Sequence, residues 1–296
     1  DFYNNDNSVF DTADGDKHGT HVSGTIAASV NNQGVVGVAP NVKILALKFL
    51  GPQGGSTSDA IAAVEYATQM GMRMGMRISN NSWGGGSYSQ ALKDAIDSSG
   101  MLFVAAAGNA SNNNDTTPFY PASYTSPNIL SVAAVNDQGN LASFSNYGAS
   151  SVDISAPGVE VLSSVPGGSW AFLSGTSMAT PHATGTAALA ASVNARLLND
   201  PQNLKKLLMD NGKPDCATLG KTATGDMVDA YAVVQAAGGS PPPNPAPCAS
   251  PSPPPAAAPS SSPPPAAAPS PSPPPTAAPP GGGKHKHKKR HHGRRH

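Results

Sequence analysis

Three short stretches of this 296-residue chain carry the residue types that nucleophilic acyl chemistry requires. "HGTHVSGT" puts His18 at the start of a small-residue helix. "AAAGN" ends an apolar run on Gly108-Asn109, and "GTSMATPH" puts Ser177 behind Gly175-Thr176 at the opening of another helix. A hydroxyl that attacks a carbonyl needs a base to take its proton and donors to hold the oxyanion that forms. A serine in the first turn of a helix is exposed at the positive end of the dipole, and its own N–H can serve as one donor. An Asn amide at a strand end can be the other. A lone His-Gly is common, and Asn after Ala-Gly is often only a turn former. "GTSMATPH" is the specific signal, since a turn Gly, a nucleophile, small residues and an early Pro rarely coincide.

These residues need a frame, and the pattern supplies one. The runs 43 to 50, 76 to 82, 101 to 108 and 128 to 135 read as buried parallel strands. Residues 57 to 70 and 89 to 99 have helical spacing, with Ser or Thr available as caps. Residues 176 to 198 read as a long small-residue helix. Alternating β and α elements imply an α/β fold with a parallel sheet covered on both faces, and such sheets carry sites at the carboxyl ends of their strands. The tandem "MGMRMGMR" at 70 to 77 should lengthen a helix or bulge a loop without functional consequence.

Composition divides the chain. Twenty of its 30 prolines lie between Pro241 and Pro280, so residues 240 to 283 read as a Pro-rich linker, with a ten-residue repeat from Ser252 of polyproline II character. Residues 284 to 296 hold seven Lys/Arg, five His and no acid, a solvated polycation. Upstream of that tail, 11 basic residues face 18 acidic ones, which argues against nucleic-acid binding by the body. No apolar run is long enough to span a membrane, and the chain opens on the polar "DFYNNDN" rather than on an apolar leader. Cys216 and Cys248 are the two cysteines; they could pair in an oxidising compartment or be unrelated thiols.

From about Asp1 to about Gly239 the chain resembles the subtilisin-like serine proteases, in "HGTHVSGTIAA", "GVVGVAP", "NNSWGG", "AAAGN", "YPASY", "DISAPG" and "GTSMATPHATG". The resemblance implies a three-layer fold, a parallel sheet flanked by helices, over residues 1 to 239. It implies a secreted serine endopeptidase acting through an acyl-enzyme on protein or peptide substrates. His18 would be the general base, Ser177 the nucleophile and Asn109 the side-chain oxyanion donor. Ser82-Trp83-Gly84 and Gly54-Gly55-Ser56 would pair with extended substrate backbone. Ala106-Ala107-Gly108 would line the first specificity pocket, whose small uncharged walls favour apolar side chains at the cleaved position. No cofactor is expected for catalysis. Ser29 to Val35 resembles the family's calcium loop, with Asn31 as the side-chain ligand, although the family's carboxylate ligands would lie upstream.

Several residues invite a second reading. His21 and His182 match structural positions and should pack or hydrogen-bond rather than catalyse. Asp11 and Asp14 precede His18 closely, yet no apolar strand leads into them. The resemblance therefore places the orienting Asp, with its strand or strands, upstream of Asp1, which would leave this fragment inactive. The acidic stretch "NNDNSVFDTADGD" reads as a solvated loop, with calcium binding as the alternative. Of three glycosylation sequons, at Asn80, Asn109 and Asn114, the first two should be buried at the site, which leaves Asn114 as acceptor. The competing function is a pseudoprotease or matrix-binding module that keeps the substrate groove. The Pro-rich rod and basic tail could hold the protein on acidic polysaccharide, or play no part.

Overall fold

The structure, a computed structural model, describes residues 1–238; the Pro-rich segment, Cys248 and the basic tail lie outside the described residues. The apolar runs form the central sheet. Strands β1 (Ile78–Asn81), β2 (Leu102–Ala106), β3 (Ile129–Val135) and β4 (Ile154–Pro157) are parallel neighbours in that order. β8 (Asp226–Met227) continues the parallel ladder beside β4, and β7 (Lys213–Pro214) closes it antiparallel. A separate antiparallel hairpin joins β5 (Val161–Val165) to β6 (Ser169–Leu173).

Every residue of β2 and β3 is buried, because helices cover both faces of the sheet. Side chains alternate across the pleat. Leu102, Val104, Leu130, Val132 and Ile154 face α4 (Thr176–Val193), α5 (Pro201–Asp210) and α6 (Ala230–Ala237). Phe103, Ala105 and Ile129 face α2 (Thr57–Met74) and α3 (Gln90–Ser98) through Ala60, Ala63, Val64, Leu92 and Ile96. α1 (His18–Ala27) packs Val22 and Ile26 against Met178 of α4.

Local chemistry sets the helix ends. Ser56 accepts the Asp59 N–H and caps α2, Ser89 caps α3 and Asp229 caps α6. Of the two outcomes open for the MGMR repeat, a longer helix is the one found: α2 runs through Met74 and stops at Gly75, in the left-handed conformation a helix-ending glycine adopts.

Residues 43 to 50 depart from expectation, since they join no strand ladder. Ile44 and Leu50 are exposed, β1 forms the outer edge of the sheet, and only Lys48 and Phe49 of the run are buried. An apolar run becomes a strand only where a neighbouring strand offers a ladder, and no strand pairs with it among the described residues. Lys48 is instead the hub of the acidic N-terminal stretch, its ammonium 2.6 Å from carboxylate oxygens of both Asp14 and Asp16. The Phe2 N–H also donates to the Lys48 carbonyl. The acidic stretch is a largely exposed loop, as read from the sequence, and its Asp14 and Asp16 fasten it to Lys48 as an ionic clasp.

Candidate active site

Ser177 is the second residue of α4, and the sequence there does more than start a helix. Pro181 has no N–H to donate to the carbonyl one turn back, that of Ser177. The Ser82 hydroxyl takes the place of that donor, 2.8 Å from the Ser177 carbonyl. The Ser177 hydroxyl in turn lies 3.2 Å from the Ser82 carbonyl. The nucleophile is therefore tied reciprocally to the segment following β1, and Asn80 extends the chain by donating to the Ser82 hydroxyl. The Ser177 N–H, one of the first-turn donors a helix leaves unpaired, has no acceptor among the described residues.

Asn109 follows β2 and faces the same helix end. Its Oδ1 accepts the Thr176 N–H at 2.8 Å and the Thr176 hydroxyl at 3.0 Å. That hydroxyl accepts the Gly108 N–H at 3.1 Å, so its own proton goes to Asn109. With the oxygen occupied, the Nδ2 donors turn outward. Asn109 is exposed, not buried as expected from the sequence.

A pocket of about 190 Å³ opens between these elements, lined by Trp83, Gly84, Ala106, Gly108, Asn109, Phe119, Thr176 and Ser177. Its walls are apolar or uncharged. Two glycines make the space. A Cβ on Gly84 would meet the Phe119 ring at 2.3 Å, and Gly108 has φ +111, a conformation L side chains rarely adopt. Ala107 was expected on this wall but points through the sheet into a cluster with Ala133 and Val152, as strand alternation requires. Phe119 takes part in its stead; its position directly before "YPASY" was the only hint in the sequence. Trp83 packs edge-on against Phe49 and Phe103, and the N–H groups of Trp83 and Gly84 have no acceptor among the described residues. Gly54 spends its N–H and carbonyl in a tight turn with Gly51, and Ser56 is spent on the α2 cap. Neither they nor Gly55 line the pocket.

His18 opens α1, exposed, with no hydrogen bond among the described residues. The packing of Val22 and Ile26 on Met178 brings its helix alongside that of Ser177. Although the residue is exposed, the atoms packed around its ring desolvate it, and this first, then the electrostatic effect of His21, holds its pKa below the usual histidine value. Asp14 is engaged by Lys48 and Asn4, and Asp11 by its own turn through the Ala13 N–H, so neither orients the ring. His21, fully buried, holds α1 to the hairpin through Nε2, 3.0 Å from the Val161 carbonyl and 3.1 Å from that of Ala171. His182 bonds back to the Met178 carbonyl. Both are tied to backbone carbonyls.

The loop at Asn31, which resembles the family's calcium loop, is closed by a local turn. Residues 29 to 35 contain no carboxylate, and Asn31 Oδ1 accepts the Gln33 N–H. Asn114 is not a glycan acceptor: it is 2 % exposed and its amide donates to the Ala107 carbonyl. Cys216 is not a free thiol; Cys248, with which the sequence left a pairing open, lies outside the described residues. No described helix is long and apolar enough to cross a membrane.

The subtilase family profile matches residues 1–232. The chain belongs to the subtilase family. It is 48 % identical to subtilisin DY of Bacillus licheniformis over 184 residues, 60 % of this chain and 65 % of that protein. It is 36 % identical to subtilisin-like protease 2 of Plasmodium falciparum over 244 residues, 79 % of this chain and 18 % of that protein. The fold matches the crystal structure of a cold-adapted subtilisin-like serine proteinase with TM-score 0.67 and 35 % identity, covering 77 % of this chain and 78 % of that one. A protease from Pseudoalteromonas arctica matches with TM-score 0.65, also at 35 % identity, covering 74 % and 70 %. The chain thus spans less than two thirds of subtilisin DY and under a fifth of the Plasmodium protein. The three layers of this subtilase are the fold its sequence implied.

Proposed function

We propose that this subtilase domain is a serine endopeptidase working through an acyl-enzyme. One observation carries the reading: a single uncharged pocket gathers the Ser177 hydroxyl and an Asn109 amide whose oxygen is already occupied. In this mechanism His18 takes the Ser177 proton as Oγ attacks the substrate carbonyl carbon. The oxyanion accepts from Asn109 Nδ2 and the Ser177 N–H. His18 then protonates the leaving amine, and water, activated by the same imidazole, releases the acid and restores the serine. Gly84, Ala106, Gly108 and Phe119 select an apolar side chain at the cleaved position, while the free N–H groups of Trp83 and Gly84 pair with extended substrate. His18 has no carboxylate partner among the described residues. Turnover by the chain as it stands is therefore expected to be very slow, short by roughly the four orders of magnitude that removal of the orienting Asp costs in trypsin and the subtilisin family itself.

The test is release of p-nitrophenol from an acyl-peptide ester. Ser177→Ala should remove the enzymatic rate and the acylation burst together. Asn109→Ala should lower kcat by about 10²–10³, a magnitude carried over from a subtilisin. Hydrolysis by Ser177→Ala at the unchanged rate would sink the proposal. The reading extends to a secreted enzyme whose basic tail binds acidic polysaccharide, supported by the seven cationic residues in 284 to 296. Equal retention on a pectin column with and without residues 240 to 296 would end that part.

A further inference from the structure

The loop that carries Asn109 is fastened from beneath by a buried pair of asparagines. Asn146 is 0 % exposed. Its Oδ1 accepts the Ala110 N–H at 2.8 Å and the Asn112 N–H at 3.1 Å, and its backbone N–H donates to the Gly108 carbonyl at 2.8 Å. Its Nδ2 donates to Asn114 Oδ1 at 3.0 Å, and Asn114 Nδ2 donates to the Ala107 carbonyl at 2.8 Å. The residues on either side of Asn109 are therefore bonded to one residue. Gly108 rests on that residue's amide: a Cβ there would come within 2.4 Å of Asn146 Nδ2. Neither Asn146 nor Asn114 lines the pocket.

We infer that Asn146, backed by Asn114, is a positioning residue that sets where the Asn109 amide points. Both lone pairs of its oxygen go to N–H groups just beyond Asn109, and a buried, hydrogen-bonded amide network of this kind specifies one backbone arrangement. Thr176 fixes the Asn109 side chain from the helix, while Asn146 fixes the backbone on which that side chain is mounted. An oxyanion donor needs such support, because a displacement of about 1 Å costs on the order of 10²-fold in rate. Removing Asn146 frees the Ala110 and Asn112 N–H groups and opens a void under Gly108.

The inference rests on the reading of Asn109 as an oxyanion donor, and a double-mutant cycle separates the two. Ester hydrolysis is measured on the full chain, Asn146→Ala, Asn109→Ala and the double variant, with thermal unfolding to confirm that each is folded. Asn146→Ala should lower kcat at least tenfold with KM changed less than twofold, but cost less than twofold once Asn109 is already alanine. Hydrogen exchange at residues 110 to 112 should accelerate at least tenfold in Asn146→Ala, while β2 stays protected. Equal losses in both Asn109 backgrounds, or unchanged exchange at 110 to 112, would overturn the inference. If Asn109→Ala leaves kcat untouched, the donor reading fails, and the positioning role fails with it; accelerated exchange would then show only a structural clamp. Should Asn146→Ala not fold, Asn114→Ala runs through the same cycle, with a smaller loss expected by the same route and the same outcomes decisive.

Discussion

Ser177 and Asn109 acquire their chemistry from what their other atoms are prevented from doing. Thr176 occupies the Asn109 oxygen, so its amide is left to donate; Pro181 withholds an N–H, so the Ser177 carbonyl is free to take the Ser82 hydroxyl. His18 lacks any such constraint, and its pKa is lowered mainly by desolvation. A base works only when unprotonated, so a lowered pKa extends activity to lower pH. The acid limb of kcat/KM should accordingly have its midpoint below 6.5, the ordinary histidine value; a midpoint above that value would mean an acid partner reaches the ring. The pocket makes its own prediction. Gly84→Ala forces the Phe119 ring into the 190 Å³ space, so kcat/KM for a Phe-ester substrate should fall at least tenfold relative to an Ala-ester. An unchanged ratio would place the cleaved side chain elsewhere.

Among the elements, the N-terminal segment and residues 43 to 50 illustrate charge replacing a ladder. Lys48 is largely buried yet stays charged because Asp14 and Asp16 face it. The hydrogen bond from Lys48, then that from Asn4, holds the Asp14 carboxyl below its ordinary 3.8. A carboxyl lowered in the folded state contributes stability that is fully present above its unfolded value and is lost as the pH falls through the folded one. Exchange protection at Phe2 and Tyr3 should therefore hold down to about pH 4 and disappear below it, whereas in Lys48→Met it should already be weak at pH 7. Equal protection of the two proteins at pH 7 would show that the clasp is not ionic.

Over the whole molecule, the far end of the sheet from Ser177 is held by another, largely buried charge. Asp153 accepts the Ser131 N–H at 2.7 Å and pairs with Lys205 at 2.8 Å, while Lys205 also donates to the Ile129 carbonyl. Burial pushes the Asp153 carboxyl up, against the pull of Lys205. Lys205→Met should cost about 3 kcal/mol at pH 7, because it strands a buried carboxylate. The cost should shrink toward pH 4, where a carboxyl with a raised pKa takes up its proton and no longer carries charge. Urea unfolding at the two pH values measures this, and a loss independent of pH would point to packing alone.

The sequence by itself determined the α/β layering, the buried strands β2 and β3, and the candidacy of His18, Asn109 and Ser177. These follow from periodicity, caps and contiguous motifs, which act over a few residues. Tertiary structure alone decided the rest. Ala107 turns away from the pocket while Phe119 enters it; Asn114 is buried and Asn109 exposed; residues 43 to 50 find an ionic clasp but no ladder. Each depends on which distant groups come within hydrogen-bonding or van der Waals reach, as Asn146 reaches Ala110 across 36 positions of sequence. A local pattern fixes what a residue is able to offer, and only packing fixes which partner accepts it.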